Sequence, residues 1–236
     1  MNKLINFFLL LFSITIANAQ SVEVVLNKLN SVYSESSPLQ FEMIYNLYKN
    51  KSSNKVYESY KGVFKKNEKN EIYQKIDKTE FIWNNKTCLS VFHQDQLMTL
   101  SFSEPQTNKQ FDIKKMLEIC SVKSFKDKKA YWELILESKP FSGLEYSEIL
   151  IQINKNYFIQ KQLFYYNTSI DFSNNMNKQD ISLPVLEIIF SNYNRKKIDT
   201  KIFDITKYII QTKNGIQPSK LYQNYDFEDQ REVTLK

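Results

Sequence analysis

The side chains best suited to catalysis are few in this sequence and lie far apart. The single histidine, His93, ends a run of alternating apolar residues, two positions before Asp95. A histidine serves as a catalytic base when a nucleophile and an orienting acid accompany it. Ser90 is near, but the sequence has no Gly-x-Ser-x-Gly elbow that would present a nucleophile. We therefore interpret His93 as a half-exposed histidine at the end of a strand.

Glu133 and Glu137 share one face of a predicted strand, and paired carboxylates can exchange protons with a substrate. The other face of the same strand carries Trp132, Leu134 and Leu136. When one face of a strand is apolar, the opposite face is usually the solvent side. We expect the two glutamates to lie in solvent, and we expect the protein not to be an enzyme.

Cysteine and metal chemistry have little support in the sequence. Cys88 and Cys120 are the two cysteines. An exported protein could join them in a disulfide, but each sits in an apolar pattern in which a free thiol also packs well. One histidine and no Cys-x-x-Cys pair argue against a zinc site. Because no glycine-rich phosphate loop or calcium loop occurs either, we expect no metal and no cofactor.

The charge balance does not indicate a nucleic-acid partner. The formal net charge is +6, and the excess is lysine spread along the chain. Arg195 and Arg231 are the two arginines, whereas guanidinium is the group best suited to bases and phosphates. The short basic runs at 195–197 and 126–129 are typical of solvated strand ends and turns. Such a lysine-rich surface favours, at most, weak attraction to an anionic membrane.

The first residues are typical of a secretory signal peptide. Lys3 is followed by an apolar run that ends near Ile16, and residues 17–19 read Ala-Asn-Ala, the small-x-small pattern of a cleavage site. The run is shorter than the ~20 residues of a membrane span, and an uncleaved anchor is the alternative. We expect residues 1–19 to be removed and residues 20–236 to form one exported domain, because no linker interrupts them.

The elements that follow are one helix and then a long run of strands. Apolar residues recur at three- and four-residue steps in 21–34, which predicts a helix with Ser21 as its N-cap. From Leu39 to Leu47 they occupy every second position, as in a strand with one apolar face. Alternation predicts strands at 39–49, 55–66, 71–76, 79–84, 87–93, 96–103, 130–138, 145–154, 157–167 and 184–194. The short turns between them indicate antiparallel neighbours, and residues 202–210 fit a short helix or a further strand.

Two segments depart from the strand pattern. Residues 111–120 are predicted to form an amphipathic helix, with Met116 and Leu117 on its apolar side. Residues 168–183 form a long polar connection, and such connections are often functional. We expect both segments to flank a cavity mouth as a lid, with Met116 and Met176 adapting to the ligand. The alternative is a helix that fills the core and a plain loop.

This order of parts resembles the periplasmic lipoprotein carriers (LolA-like) and the related outer-membrane lipoprotein-sorting proteins. The stretches that carry the resemblance are "VLNKLNSVYSESSPLQFEMIYNLY" (25–48), the strands from 59 to 102, and "TKIFDITKYI" (200–209). The resemblance implies an unclosed barrel with helices as a lid and an apolar cavity that shields acyl chains. It also implies a periplasmic location in a Gram-negative bacterium.

The aromatic content bears on what the sheet encloses. The chain has 17 Phe and 15 Tyr, which build ordinary cores but also line apolar pockets. For the stripe from Leu39 to Leu47 the two interpretations are compatible, because one end can pack on helix 21–34 while the other lines a cavity. The predicted cavity-wall residues are Phe41, Met43, Tyr45, Leu47, Phe64, Trp83, Leu100, Phe102, Met116, Leu117, Trp132 and Leu134.

We therefore predict a mainly β (α+β) fold, in which a strongly curved antiparallel sheet forms an unclosed half-barrel around a few helices. The predicted function is that of an exported monomeric carrier that holds a lipid or the acyl chain of a lipoprotein. The alternative is a non-enzymatic envelope scaffold on the same fold that binds another protein.

Overall fold

The computed structural model describes residues 21–84, 86–103, 113–173, 178–213 and 215–232. The predicted signal peptide, the first two residues of the predicted helix 111–120, and Met176 lie outside these ranges. Within them, the helices are too short or too polar to cross a membrane.

Helix α1, Val22–Ser34, begins and packs as its sequence pattern predicts. Ser21 is its N-cap, and the Ser21 hydroxyl accepts a hydrogen bond from the backbone N–H of Val24 at 3.4 Å. The apolar stripe of the helix is buried. This burial, rather than helix propensity, stabilises a helix of this length, because short isolated helices are marginal in water.

Within the described residues, twelve strands form one large sheet. The strands of the first half are β1 (Leu39–Tyr48), β2 (Glu58–Lys66), β3 (Ile72–Ile76), β4 (Thr79–Trp83), β5 (Thr87–Phe92) and β6 (Leu97–Phe102). Helix α2 (Ile113–Ile119) then precedes β7 (Cys120–Asp127), β8 (Tyr131–Ser138), β9 (Tyr146–Asn154) and β10 (Ile159–Tyr166). The short strands β11 (Ile170–Asp171) and β12 (Ile181–Ser182) pair with each other, and β13 (Val185–Asn194) returns to the large sheet.

The C-terminal segment, residues 198–232, alternates 3-10 turns with short strands. The turns are Thr200–Phe203, Ile205–Lys207, Lys220–Tyr222 and Gln230–Glu232, and the strands are β14 (Ile209–Thr212), β15 (Gly215–Pro218) and β16 (Asp226–Asp229). The segment 202–210 is therefore partly helical and partly extended, so it contains both of the structures that its sequence allowed.

The strand order is β16-β6-β5-β4-β3-β2-β1-β13-β10-β9-β8-β7. Every pair is antiparallel except β16 with β6, which is parallel. The sheet is curved and not closed, so the predicted half-barrel architecture is confirmed. The sequence prediction lacked the two edge strands, β7 and β16. Most side chains of β7 are exposed, so this strand has no apolar alternation from which it could be recognised.

The two faces of the sheet carry separate apolar clusters. The face that carries α1, here called the inner face, includes Phe41, Phe64 and Trp132. The opposite, outer face carries a second cluster on β3 to β6, which the C-terminal segment covers with Phe203 and Tyr208 among other residues. The sheet therefore has a covered apolar region on each side.

The sheet also has two distinct ends. At the near end β1 begins after α1, and at the far end β1 finishes at Tyr48. Because the strands are antiparallel, the far end gathers the loop 49–57, the turn 139–145, the connection 167–184 and the junction of α2 with β7. The two predicted lid segments thus meet the sheet at the same end.

Candidate functional site

The inner face changes character along strand β1. Leu39, Phe41 and Met43, in the near half, are each about 1% exposed. Tyr45 and Leu47, in the far half, are only half-buried although they lie on the same face. The apolar stripe therefore continues past the part of the core that α1 fills.

The near half of the inner face is a packed core. Phe41 stacks on Phe64 with ring centroids 4.7 Å apart, and the ring of Tyr33 from α1 meets Phe41 edge-on at 6.3 Å. Trp132 and Leu134 of β8 belong to the same buried cluster, although the register through β9 and β10 puts Leu134 level with Ile188. These positions hold side chains of α1 and of neighbouring strands, so they are not free to line a ligand site in this structure.

A buried polar network anchors α1 to the near end. Tyr193 donates its hydroxyl proton to the carbonyl of Ile159 at 2.7 Å, and Tyr33 accepts from the N–H of Ile159 at 3.1 Å. The two tyrosine hydroxyls are 2.7 Å apart, so Tyr33 must be the donor between them. Burial raises the pKa of both tyrosines, which keeps them neutral.

Two cations hold the C-terminal carbonyls of α1. The buried Lys66 ammonium donates to the carbonyls of Tyr33 at 2.6 Å and Glu35 at 2.8 Å, and Arg195 donates to the carbonyl of Val32 at 3.0 Å. Positive charge at a helix C-terminus is favourable. Burial, and secondarily the Arg195 charge, nevertheless lowers the pKa of Lys66 to about 8. The contacts make α1 a fixed part of the near half.

The far half of the inner face combines side chains from three neighbouring strands. Tyr45 lies opposite Ile188, Leu47 lies opposite Leu186, and Leu186 lies opposite Phe164 of β10. All five are half-buried. We call this set, Tyr45, Leu47, Phe164, Leu186 and Ile188, the far-half surface. It is the candidate functional site, because it is apolar, lies on the inner face and is less covered than the core beside it.

Polar side chains of strand β2 border the far-half surface, because Tyr60 lies opposite Tyr45 and Glu58 lies opposite Leu47. The Tyr45 hydroxyl lies 3.2 Å from the Met43 sulfur. Burial raises the pKa of Tyr45 to about 12, and a hydrogen bond with Gln74 only partly opposes the rise. Tyr45 is therefore neutral, and the five residues of the far-half surface themselves offer hydrocarbon and ring faces.

The two predicted lid segments border the far half. Met116 and Leu117 of α2 are half-buried and pack against the inner-face cluster. The Lys139 ammonium donates to the carbonyls of Leu117 at 3.0 Å and Glu118 at 2.8 Å, which ties the end of α2 to the turn after β8. In the connection 168–183, Phe172 is buried against Tyr57, with ring centroids 4.9 Å apart.

Three other predicted wall residues lie outside the far-half surface. Leu100 is opposite Leu89 and belongs to the outer-face cluster, and Phe102 shares its face and is exposed. Trp83 does lie on the inner face, half-buried beside Phe81, but on β4 and towards the near end. The prediction thus brought together Tyr45 and Leu47 but included two residues of the opposite face.

Three residues of the far-half surface were absent from the prediction. Phe164, Leu186 and Ile188 lie in strands that the sequence identified correctly, at 157–167 and 184–194. The sequence showed the alternation within each strand, but it did not show which strands lie next to β1 in the sheet. Only the register shows that β13 and β10 follow β1 in the sheet, across a long connection.

His93, the first candidate for catalysis, is part of a hydrogen-bonded network that holds the fold together. His93 Nε2 lies 3.0 Å from a Glu80 carboxylate oxygen, and His93 Nδ1 lies 2.9 Å from the Tyr225 hydroxyl. Burial opposes ionisation of Glu80, yet hydrogen bonds from Tyr208 and His93 hold its pKa below the usual value. This network fastens the C-terminal segment to the outer face.

The remaining candidates for chemistry are also accounted for. Glu133 and Glu137 lie on the face opposite Trp132 and Leu134, as predicted; Glu137 is exposed and accepts a hydrogen bond from Lys123 at 3.3 Å, whereas Glu133 is half-buried. Cys88 and Cys120 are free thiols, so the alternative without a disulfide is the correct one. Across the described ranges, no group of three or more His, Cys, Asp or Glu side chains is placed to hold a metal ion.

Comparisons with known proteins support the fold. The chain is similar to an uncharacterized conserved protein from Thermus thermophilus, with a TM-score of 0.50, 10% identity, and coverage of 89% of this chain and 99% of that one. It is also similar to a LolA superfamily protein from Nitrosomonas europaea, with a TM-score of 0.37, 13% identity, and 79% and 98% coverage. A putative outer membrane lipoprotein-sorting protein domain from Vibrio parahaemolyticus gives a TM-score of 0.36, 11% identity, and 77% and 95% coverage.

No protein-family model matches the chain, and no curated protein sequence matches it. At these identities the likeness is one of fold.

Proposed function

We propose that this protein is a non-enzymatic carrier of the cell envelope that binds the acyl chain of a lipid or lipoprotein on its far-half surface. The observation that carries the proposal is the division of one apolar stripe on β1. Its near half is filled by α1, whereas Tyr45 and Leu47 and their neighbours on β13 and β10 remain half-exposed. An apolar stripe that served only to build the core would not need to extend beyond the part that α1 covers.

The chemistry of the far-half surface suits an acyl chain. Its aliphatic members, Leu47, Leu186 and Ile188, offer the contacts of a hydrocarbon phase, and Phe164 and Tyr45 add ring faces. Removing one methylene group from water contributes about 0.8 kcal/mol, so partial enclosure of a chain is enough for useful affinity. A charged or polar substrate would find no built set of partners among the five residues of this surface.

The positions of α2 and the connection 168–183 support their role as a lid. Both reach the far end, where α2 packs Met116 and Leu117 against the inner-face cluster and the connection buries Phe172. Met116 contributes a flexible thioether that can repack around chains of different length. The alternative, in which α2 only fills the core, predicts that truncating Met116 and Leu117 to Ala unfolds the protein before it alters lipid exchange.

A tryptophan reporter on each face of β1 tests the proposal. The background is Trp83→Phe, in which the remaining native Trp132 is buried. One variant adds Leu47→Trp on the inner face, and its matched control adds Ile44→Trp on the outer face of the same strand. Both are titrated with a brominated fatty acid below its critical micelle concentration.

The expected result is saturable quenching of the tryptophan at position 47 and none beyond background at position 44. Equal quenching at both positions, or none at either, would overturn the proposal. Native mass spectrometry of the gently purified wild-type protein gives a second readout, because a bound lipid adds a discrete mass. If no lipid is retained and no quenching occurs, the scaffold alternative becomes the better one.

A further inference from the structure

Large apolar side chains are exposed on several loops at the far end of the sheet. Phe141, in the turn between β8 and β9, is 106% exposed, and Ile181 and Leu183 are 55% and 51% exposed. Ile119, at the end of α2, and Ile170, in β11, are exposed as well. We call these five residues, Ile119, Phe141, Ile170, Ile181 and Leu183, the far-end rim.

Phe141 adopts a backbone conformation that does not suit its side chain. Its φ angle is 61°, in the left-handed region that Gly and Asn tolerate and bulky residues avoid. Such conformations cost free energy and cluster at functional positions. Because the ring of Phe141 is fully exposed, no packing inside the protein compensates for this cost. The ring is therefore a candidate for contact with something outside the chain.

Hydrogen bonds and ring contacts join the loops of the rim into one continuous surface. The N–H of Lys139 donates to the carbonyl of Ile119 at 2.9 Å, and the side chain of Asn167 donates to the carbonyl of Leu144 at 3.1 Å. Tyr166 in turn donates from its N–H to the carbonyl of Pro184 at 3.1 Å. The rim is thus a connected part of the fold.

The other side of the rim is fixed in the same way. Lys49 forms an ion pair with Asp180, and Phe172 packs on Tyr57, so the connection 168–183 is held against the loop 49–57. These contacts hold Ile170 and Ile181 at the end of the sheet on which Phe141 is exposed.

We propose that the far-end rim docks onto the surface of a lipid bilayer, with Phe141 and its neighbours inserted among the lipids. The five apolar side chains stand on three chain segments, the end of α2, the turn 139–145 and the connection 167–184, and single side chains spread in this way suit a fluid surface better than the shaped surface of a folded protein. They also lie at the end towards which the far-half surface extends. This inference rests on the proposed function, because docking here would present the acyl-binding surface to its source.

Electrostatic attraction is not what would bind the far-end rim to a bilayer. Lys51, Lys139 and Lys178 are exposed at the far end, but so are Glu145 and Asp171, and the signs nearly balance. Binding should therefore come from burial of apolar side chains at the membrane interface, as it does for interfacial anchors. It should occur on zwitterionic lipid and change little with salt, unlike the binding of a basic patch.

Vesicle flotation of the mature chain tests the inference, with phosphatidylcholine vesicles at low and at high salt. The test variant is Phe141→Asn, which removes the ring and fits the left-handed backbone better, so the fold should be at least as stable. The matched control is Phe102→Asn, because Phe102 is 68% exposed but lies at the near end. Leu183→Ser provides a second rim variant on another loop.

We expect the wild-type protein and the Phe102→Asn variant to float with the vesicles, and Phe141→Asn to bind them about tenfold or more weakly. Leu183→Ser should weaken flotation in the same direction. Absence of wild-type flotation, or equal loss in the two phenylalanine variants, would overturn the inference. A protein that instead dimerises through the rim, with a dimer that Phe141→Asn dissolves and no vesicle binding, would overturn it too.

The outcome is distinguishable from that of the proposed function. Phe141→Asn should leave quenching at position 47 by the dissolved brominated fatty acid unchanged, because the rim lies outside the far-half surface. Quenching without flotation would refute the inference alone. Flotation without quenching would refute the acyl-chain proposal.

Discussion

Gly62 lies where any side chain would meet its neighbours. A Cβ atom there would lie 3.0 Å from a ring carbon of Tyr45, 3.1 Å from the Lys75 carbonyl oxygen and 3.2 Å from the Met43 methyl. One of these contacts is with backbone, which cannot rotate away. We expect Gly62→Ala to destabilise the protein by about 1–3 kcal/mol in urea unfolding, as overpacking does. Gly143→Ala is the comparison, because its Cβ meets no atom and only its positive φ would cost stability.

Lys66 gives the stability a pH dependence whose sign can be derived. Its pKa falls from an ordinary 10.5 to about 8 in the folded protein. Between these two values the unfolded chain binds the proton and the folded chain does not, so the free energy of unfolding rises with pH across that window. Removing its two hydrogen bonds in Lys66→Met should still cost about 1–3 kcal/mol at neutral pH.

The measurement is the difference in unfolding free energy between wild type and Lys66→Met at a series of pH values. The difference should grow between about pH 8 and 10.5, in favour of wild type. Other titrating groups cancel in the subtraction. A flat difference for Lys66→Met would contradict the assignment of the lowered pKa.

Single residues also show what a sequence can and cannot indicate. The alternation in β1 correctly separated Phe41 and Tyr45 from the polar face, because side chains in one strand alternate by geometry. The same rule placed Leu100 on an apolar face of β6 but could not show which side of the sheet that face is on. That depends on the register through successive turns, which puts Leu100 opposite Leu89 on the outer side.

Among the elements, the C-terminal segment is held on the outer face through one buried carboxylate. Glu80 accepts a hydrogen bond from the buried Tyr208 hydroxyl and lies beside His93. Tyr208→Phe removes that donor without changing the shape of the ring. We expect a loss of about 1–3 kcal/mol, because a buried charged group loses a partner. Hydrogen exchange should quicken in residues 198–229 and not in β1; equal exchange in both would show that the segment is not a separate unit.

The elements differ in how visible they are in the sequence. Helix α1 and the alternating strands were recognised because each buries one regular face against the core. Strand β7 was not, because it is an edge strand with exposed side chains, and Cys120 continues the apolar pattern of α2 although it begins β7. Strand β16 is four residues long and pairs in parallel with a strand far away in sequence, which no local pattern encodes.

At the scale of the whole molecule, the large sheet has two apolar regions that other elements cover and one apolar region that is left partly exposed. Helix α1 fills the near half of the inner face, and the C-terminal segment covers the outer face of β3 to β6. The far-half surface is what remains of the inner face beside β1. Its position next to the far-end rim follows from the antiparallel order, which brings several connections to one end.

This arrangement predicts a limit to the length of acyl chain that the site accommodates. The four residues from Tyr45 to Tyr48 span about 13 Å of strand. Beyond them the buried pair Met43 and Phe190, backed by α1, closes the surface. Affinity should rise about fourfold for each added methylene group, from about 0.8 kcal/mol of burial, until the chain reaches Met43. Longer chains should then gain little.

A series of saturated fatty acids of increasing length, competed against the brominated probe, measures this limit. Met43→Ala removes the side chain that closes the surface, so the plateau should move to longer chains even though stability falls by about 2–5 kcal/mol. Leu134→Ala removes a buried side chain farther from the surface and should lower stability without moving the plateau. If affinity keeps rising with length in wild type, or if both variants behave alike, the chain does not stop at Met43, and the near half must open for the ligand.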